Sequence, residues 1–217
     1  MKGLTQRVFE LSPPGGIFDE TVISNLYPDR SQGARNALIH RAVSSGEILR
    51  LRPGLFCLAE SYRRSGPHPF VVAAALLSPS HVSFETSLWH HGLIPEAVRE
   101  VASATLERSR RYDTPMGAFS FHRVPETSPR AGVKHVEIEP GSWVFVAEPL
   151  RSIADLVYIR RQVSWERDGL DFLTSSMRME ADELRGIPWQ LFDEIRGSIR
   201  SRRVRAYLDG LRQVLGQ

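Results

Sequence analysis

Ser31, Gln32, Arg35, Asn36 and His40 set a hydroxyl, two amides, a guanidinium and an imidazole on one stretch of chain at helical spacing. Amide and guanidinium groups can pair with base edges in the DNA major groove, which is wide enough to take a single helix. Arg50 and Arg52 follow, just ahead of Pro53-Gly54. Arginines on such a turn can reach flanking phosphates, which supply affinity without sequence information. The chemistry these residues suggest is recognition of double-stranded DNA.

Other residues invite a search for catalysis. Glu85 is the one acid in an otherwise apolar stretch, with His81 four residues before it and Ser83 between them. A glutamate and a histidine together can do acid–base work, but the same pair also orders a helix end. Ser83 has no obvious base partner, and no Gly-x-Ser-x-Gly elbow or glycine-rich phosphate loop is present. Neighbouring His90 and His91 would point about 100° apart on a helix, and His81, His122 and His135 lack ligand spacing. No catalytic residue, metal site or cofactor is therefore expected. Ser83, Glu85 and Asp155 are expected to be structural, holding helix ends.

The elements that must position the basic residues can be read from pattern. Phe18, Val22, Ile23 and Leu26 fall on one face of a helix that Pro28-Asp29 ends. Ser31 is a good N-cap for a second helix, Gln32 to about Ser45, with Ala34, Leu38 and Ala42 facing a core. Gln32, Arg35, Asn36, Ile39 and His40 fall away from that stripe, and Gly46 closes the helix. Ile48 to Arg52, Pro53-Gly54 and Leu55 to Leu58 read as a hairpin. The order predicts a winged helix-turn-helix over residues 1–62, a fold that also serves protein–protein contacts.

A polar stretch, Ser61 to Pro67, reads as a linker. Residues 68–217 are predicted to form a mixed α+β domain with a helical C-terminal tail. The helices expected there are Phe70–Leu77, one capped by Ser83 and ending at Gly92, one from Pro149 through Arg161, and three after about Asp168. Strands are expected at Glu100–Arg108, Gly117–Val124 and Val133–Val146, the last turned at Pro140-Gly141. Near the C-terminus Ile199, Val204, Tyr207, Leu208, Leu211 and Leu215 form an apolar stripe. Arg200, Arg202 and Arg203 lie mostly on the other side, as a solvated face or a secondary basic face for DNA or an acidic partner.

At 41% hydrophobic and 24% charged residues, the composition is that of an ordinary globular chain. No apolar run approaches the roughly 20 residues of a membrane span, and the N-terminus turns polar too soon for a signal peptide. The single cysteine, Cys57, excludes an internal disulfide and lies in an apolar strand, as a small buried thiol would. A cytoplasmic location is expected. Charge is uneven: net +3 over residues 1–66, −5 over 165–195 and +5 over 196–217. Such asymmetry hints at nucleic acid near the basic regions.

Four phrases carry a family resemblance. The segment from His81-Val82-Ser83-Phe84-Glu85 through Gly92-Leu93-Ile94-Pro95-Glu96 resembles one in the AbiEi-type antitoxin family of bacterial transcriptional regulators. Thr114-Pro115-Met116-Gly117-Ala118-Phe119, Val146-Ala147-Glu148-Pro149 with Ala154-Asp155-Leu156-Val157-Tyr158, and Leu51-Arg52-Pro53-Gly54-Leu55-Phe56 are similar to three more. Leu150 stands where the family has a glutamate. The resemblance implies an autorepressor that binds its operator through the N-terminal winged helix and belongs to a type IV toxin–antitoxin system. The antitoxin's second domain would counteract a nucleotidyltransferase-type toxin, without any need for direct binding. Two alternatives stand beside it: a winged-helix regulator whose second domain senses a small molecule or protein, and an enzyme using a pocket near Ser83 and Glu85.

Overall fold

The computed structural model describes residues 3–95 and 99–216. Glu96, which ends the first family phrase, lies outside the described residues. The chain is a mixed α+β protein with two sheets.

The first sheet belongs to the N-terminal unit. Helix α1 (Leu4–Leu11) leads to strand β1 (Ile17–Asp19), helix α2 (Glu20–Leu26), helix α3 (Gln32–Ser44) and the strands β2 (Ile48–Arg52) and β3 (Leu55–Leu58). The strand order is β1-β3-β2, antiparallel throughout. Phe18 and Asp19, expected to open a helix, belong instead to β1. Phe18 pairs with Phe56, so ladder bonds to β3 override the helical period, and Asp19 becomes the N-cap of α2 by accepting from the Val22 amide (3.1 Å). Ser31 caps α3 in the same way, accepting from the Ala34 amide (3.3 Å). Ile39, expected to face outward, is buried in the core beside Ala42.

The second sheet has six strands: β4 (His81–Val82), β5 (Glu100–Thr105), β6 (Arg110–Thr114), β7 (Gly117–Arg123), β8 (Val133–Glu139) and β9 (Ser142–Ala147). Their order is β6-β7-β5-β4-β9-β8, with β5/β7 and β4/β9 parallel and the other pairs antiparallel. Strands β4 and β6 were not expected from the sequence. β4 is two residues long and exists only because β5 and β9 flank it. Helices α4 (Pro69–Leu76), α5 (Phe84–His90) and α6 (Pro149–Ile159) pack with this sheet, α6 buried from Pro149 through Val157. The tail is more broken than the three helices expected: α7 (Trp165–Asp168), a π turn at Phe172–Ser176, α8 (Ala181–Arg185), α9 (Phe192–Ser198) and α10 (Arg202–Leu215). α10 docks by its apolar stripe, and Gly210 is required there, because a Cβ would come within 2.3 Å of the Trp165 ring.

Residues 61–67 join the two units without separating their cores. Leu51, Leu55 and Cys57 of the β2–β3 hairpin pack with Val72, Ala73 and Leu76 of α4 and with Phe119 and Phe121 of β7. Such a shared apolar core predicts that both units unfold together. Leu55, 5% exposed, sits in it. Leu55→Ala should cost about 2–5 kcal/mol and lower the melting of the whole chain. Scanning calorimetry should give a single transition, and two separable transitions, only one of them shifted, would contradict the shared core.

Candidate nucleic-acid interface and a buried polar cavity

The residues nominated for DNA contact do not all face the same way. Ser31, Gln32, Asn36 and His40 are exposed on the outer face of α3. The Gln32 amide donates to Asn36 Oδ1 (3.1 Å), so the two side chains present a joined amide pair one turn apart. Arg50 is exposed on β2, its guanidinium 5.9 Å from the Phe56 ring centroid. Arg35 is half-buried and folds back on the turn between α2 and α3. It donates to the carbonyls of Arg30 (2.8 Å) and Tyr27 (3.4 Å) and to Gln32 Oε1 (3.0 Å).

Arg52 takes a different role from the one expected. A register irregularity between Arg50 and Arg52 breaks the alternation of β2 and turns Arg52 toward the second unit. There its Nε donates to the carbonyl of Leu76, the last residue of α4 (3.0 Å), and Nη1 to Pro53 O (3.0 Å). The C-terminal basic face is also smaller than expected. Arg203 donates to the carbonyls of Val157 (2.9 Å), Tyr158 (3.3 Å), Arg160 (3.4 Å) and Val163, closing the end of α6. Arg200 and Arg202 remain exposed.

A second constellation is one that sequence reading missed. Arg151, in the first turn of α6, is 1% exposed. Its Nε donates to Asp155 Oδ1 one turn on (2.9 Å), Nη1 donates to Ala131 O (2.6 Å), and Nη2 donates to Glu126 Oε1. Ser83 Oγ donates to Asp155 Oδ2 (2.6 Å), and His81 Nε2 lies 3.3 Å from the same oxygen. Ser83 thus sits at the start of α5 without capping it, and its proton points at a carboxylate instead of an imidazole. That is the wrong order for a nucleophile and its base. Glu85, which the sequence pairs with His81, instead accepts from Arg160 Nη2 (2.8 Å).

Local structure explains how these residues meet. α6 brings Arg151 and Asp155 to one face, four residues apart. β4 delivers His81 from the sheet, and Ser83 follows it at the start of α5. Glu126 is fixed by a β-bridge to Ile199 and by the Thr127 amide donating to Ser198 O (3.0 Å). Gly132 (φ +64°) lets the neighbouring loop lie on α6, since a Cβ there would stand 2.5 Å from Ile195 Cδ1 and 3.1 Å from Arg151 Cβ.

Burial divides the charges. Desolvation would raise the Asp155 carboxyl, but the Arg151 guanidinium, with hydrogen bonds from His81 and Ser83, holds it at about 2. Desolvation, aided by the Asp155 charge, pushes Glu126 up to about 9 against the pull of Arg151. Burial lowers His81 below its ordinary value despite Asp155. At neutral pH the floor is therefore one guanidinium, one carboxylate, a neutral carboxyl and a neutral imidazole, with charges that cancel. Arg151, Glu126 and His81 line a cavity of about 490 Å³ whose walls include Ala104, Leu106, Val124, Val133 and Phe145.

The two carboxyls give opposite pH signatures. Asp155, depressed when folded, contributes stability above the ordinary aspartate range that is lost as pH falls toward about 2. Glu126, raised when folded, contributes stability below its ordinary 4.5 that is lost as pH rises toward about 9. Glu126→Gln keeps a neutral amide in place, so this variant should lose less stability than the parent in denaturant unfolding as pH rises from 4.5 to about 9. Parallel profiles would mean Glu126 is already ionised when folded. Asp155→Asn strands a buried guanidinium and should cost about 3–5 kcal/mol.

No protein-family model matches the chain and no curated protein matches it.

Proposed function

We propose that the protein is a DNA-binding transcriptional autorepressor and the antitoxin of a bacterial type IV toxin–antitoxin system, counteracting a nucleotidyltransferase-type toxin. In this reading residues 3–62 are a winged helix and α3 is its recognition helix. The observation that carries the DNA half is the exposed set Ser31, Gln32, Asn36 and His40 on α3, with Arg50 exposed on the neighbouring hairpin. Gln32 and Asn36 suit adenine edges, and Arg50 suits a phosphate. Arg35 reaches a base only by giving up its turn carbonyls, and Arg52 serves by fixing the hairpin to α4.

The antitoxin half rests on the family resemblance. Two of its phrases contribute Ser83 and Asp155, which meet at 2.6 Å, and a third supplies the β6–β7 turn, where Thr114 Oγ1 accepts from the Met116 amide (3.0 Å). These phrases fall on fold-defining positions in this chain. The alternative, a regulator with a sensing second domain, is favoured by the cavity over Glu126 and Arg151. No described helix is long and apolar enough to cross a membrane.

Gel-shift titration on the chain's own promoter at several salt concentrations tests the DNA half. Asn36→Ala should weaken promoter binding by about 1–3 kcal/mol and random duplex much less. Arg50→Ala should weaken both and reduce the salt slope by about 0.9. Arg200→Glu with Arg202→Glu tests the secondary face without disturbing the Arg203 bonds, and should weaken both duplexes alike if that face meets phosphate. Absence of salt-dependent binding to any duplex would overturn the DNA reading. Failure of the full chain to rescue growth when co-expressed with a toxic nucleotidyltransferase encoded beside it would overturn the antitoxin half alone.

A further inference from the structure

We propose that the 490 Å³ cavity beside α6 binds a small neutral hydroxyl compound, phenol-like in having a compact apolar body, whose hydroxyl donates to His81 Nδ1. This goes beyond the DNA and antitoxin reading and does not depend on it.

The size is in the range of small-molecule pockets. The inner walls are apolar: Ala104 and Val124 are buried, and Val133 and Phe145 are half-buried. Empty apolar space of this kind lacks the packing contacts that a ligand body would supply. The polar side chains of the wall are already engaged. Ser80 Oγ donates to Leu77 O (2.6 Å). Thr105 Oγ1 donates to Pro79 O (2.8 Å) and accepts from the Glu107 amide (3.1 Å). Arg151 directs its donors to Asp155, Ala131 and Glu126. Glu126 Oε2 is shut away from open space, so it takes no part.

His81 is the exception. It is 9% exposed and lines the cavity. Its Nε2 lies 3.3 Å from Asp155 Oδ2 and 3.4 Å from Arg151 Nη2. Its Nδ1 has no hydrogen-bond partner among the described residues, and unlike Glu126 Oε2 it is not sealed from open space.

The neighbours of Nε2 fix what Nδ1 can do. Asp155 Oδ2 already accepts from Ser83 Oγ (2.6 Å), as a carboxylate does. Arg151 Nη2 is farther off and donates to Glu126 Oε1. A lone pair on Nε2 would face the carboxylate oxygen, so the ring proton sits on Nε2. Burial, with the Arg151 charge beside it, keeps the ring from taking a second proton at neutral pH. Nδ1 is therefore a buried acceptor that calls for a donor. An ammonium would bring a donor but set a positive charge against Arg151, which shares the floor. A carboxylate brings no proton. A neutral hydroxyl meets both conditions. The rim, with Ser78, Ser128 and Arg130, is open to water and places no demand on the outer end.

NMR titration of the full chain, with isotope-labelled histidine, tests this using 4-ethylphenol and its methyl ether, 4-ethylanisole. The two probes share a body and differ in the donor. 4-Ethylphenol should bind with a Kd below about 1 mM and move the His81 Nδ1 resonance upfield, as accepting a hydrogen bond does. 4-Ethylanisole should bind about tenfold more weakly and leave that resonance in place. His81→Phe should bring the two affinities together by weakening 4-ethylphenol alone. Ser128→Trp, on the exposed rim and away from the floor, should weaken both probes about tenfold or more with melting unchanged, and it serves where His81→Phe fails to fold. Equal affinity of the two probes for the parent chain would overturn the role of the hydroxyl. Absence of binding, or binding untouched by Ser128→Trp, would overturn the site.

Discussion

A guanidinium with 1% of its surface exposed dictates much of the second unit. Taking an arginine out of water costs several kcal/mol even after relaxation, and the cost is met only when each donor finds a partner of good geometry. Arg151 gets those partners from three directions. Asp155 comes from its own helix, Ala131 O from the loop before β8, and Glu126 from the loop after β7. None of the three can shift without stranding a buried charge. The loop that carries Ala131 must then lie against α6, which is why position 132 tolerates no side chain. The loop that carries Glu126 is tied in turn to the tail at Ile199, so even the last helices hang from this one interaction.

The same network lies close to the boundary between the two units. Thr105 Oγ1 donates to Pro79 O (2.8 Å) and Ser80 Oγ to Leu77 O (2.6 Å), which fixes the segment between α4 and β4. That segment is one wall of the cavity. At its other end Leu76 packs on the hairpin core and accepts from Arg52. Cavity wall, helix end and hairpin are thus contiguous, through packed side chains and backbone bonds and not through a flexible linker. Contiguity is a physical precondition for coupling two sites, and coupling itself requires an element with two arrangements.

Elements with a strong period were legible in the sequence. α3, the β2–β3 and β8–β9 hairpins, α6 and α10 announce themselves by capping serines, prolines at helix starts and Pro-Gly turns. β1 and β4 did not, because three- and two-residue strands carry no period and are defined by neighbours that pair with them. β6, Arg110–Thr114, was hidden by a charged and mostly exposed composition, and it is an edge strand paired to β7. The buried cluster was illegible as a cluster, since Ser83 and Asp155 stand 72 residues apart. Part of it could have been found. Arginine at 151 and aspartate at 155 share a face of an otherwise apolar helix, and that spacing is a signal for a buried pair.

Several arginines serve the fold and not the surface, for a reason that recurs along the chain. α2, α4 and α6 end without a left-handed glycine, their C-cap residues Tyr27, Leu77 and Arg160 all at negative φ. Their last carbonyls therefore need donors from elsewhere. Arg7 Nη1 donates to Leu26 O (2.7 Å), Arg35 to Tyr27 O, Arg52 to Leu76 O, and Arg203 to Val157 O and Tyr158 O. A guanidinium suits this task because it spreads several donors in a plane and places positive charge at the negative end of the helix dipole. Three of the six arginines nominated for DNA, Arg35, Arg52 and Arg203, serve in this way. Arg50, Arg200 and Arg202 are left facing solvent. In a chain whose basic residues are nearly all arginine, a helix lacking a C-terminal glycine claims a nearby guanidinium before any external phosphate can, and only those left over bear on what the surface binds.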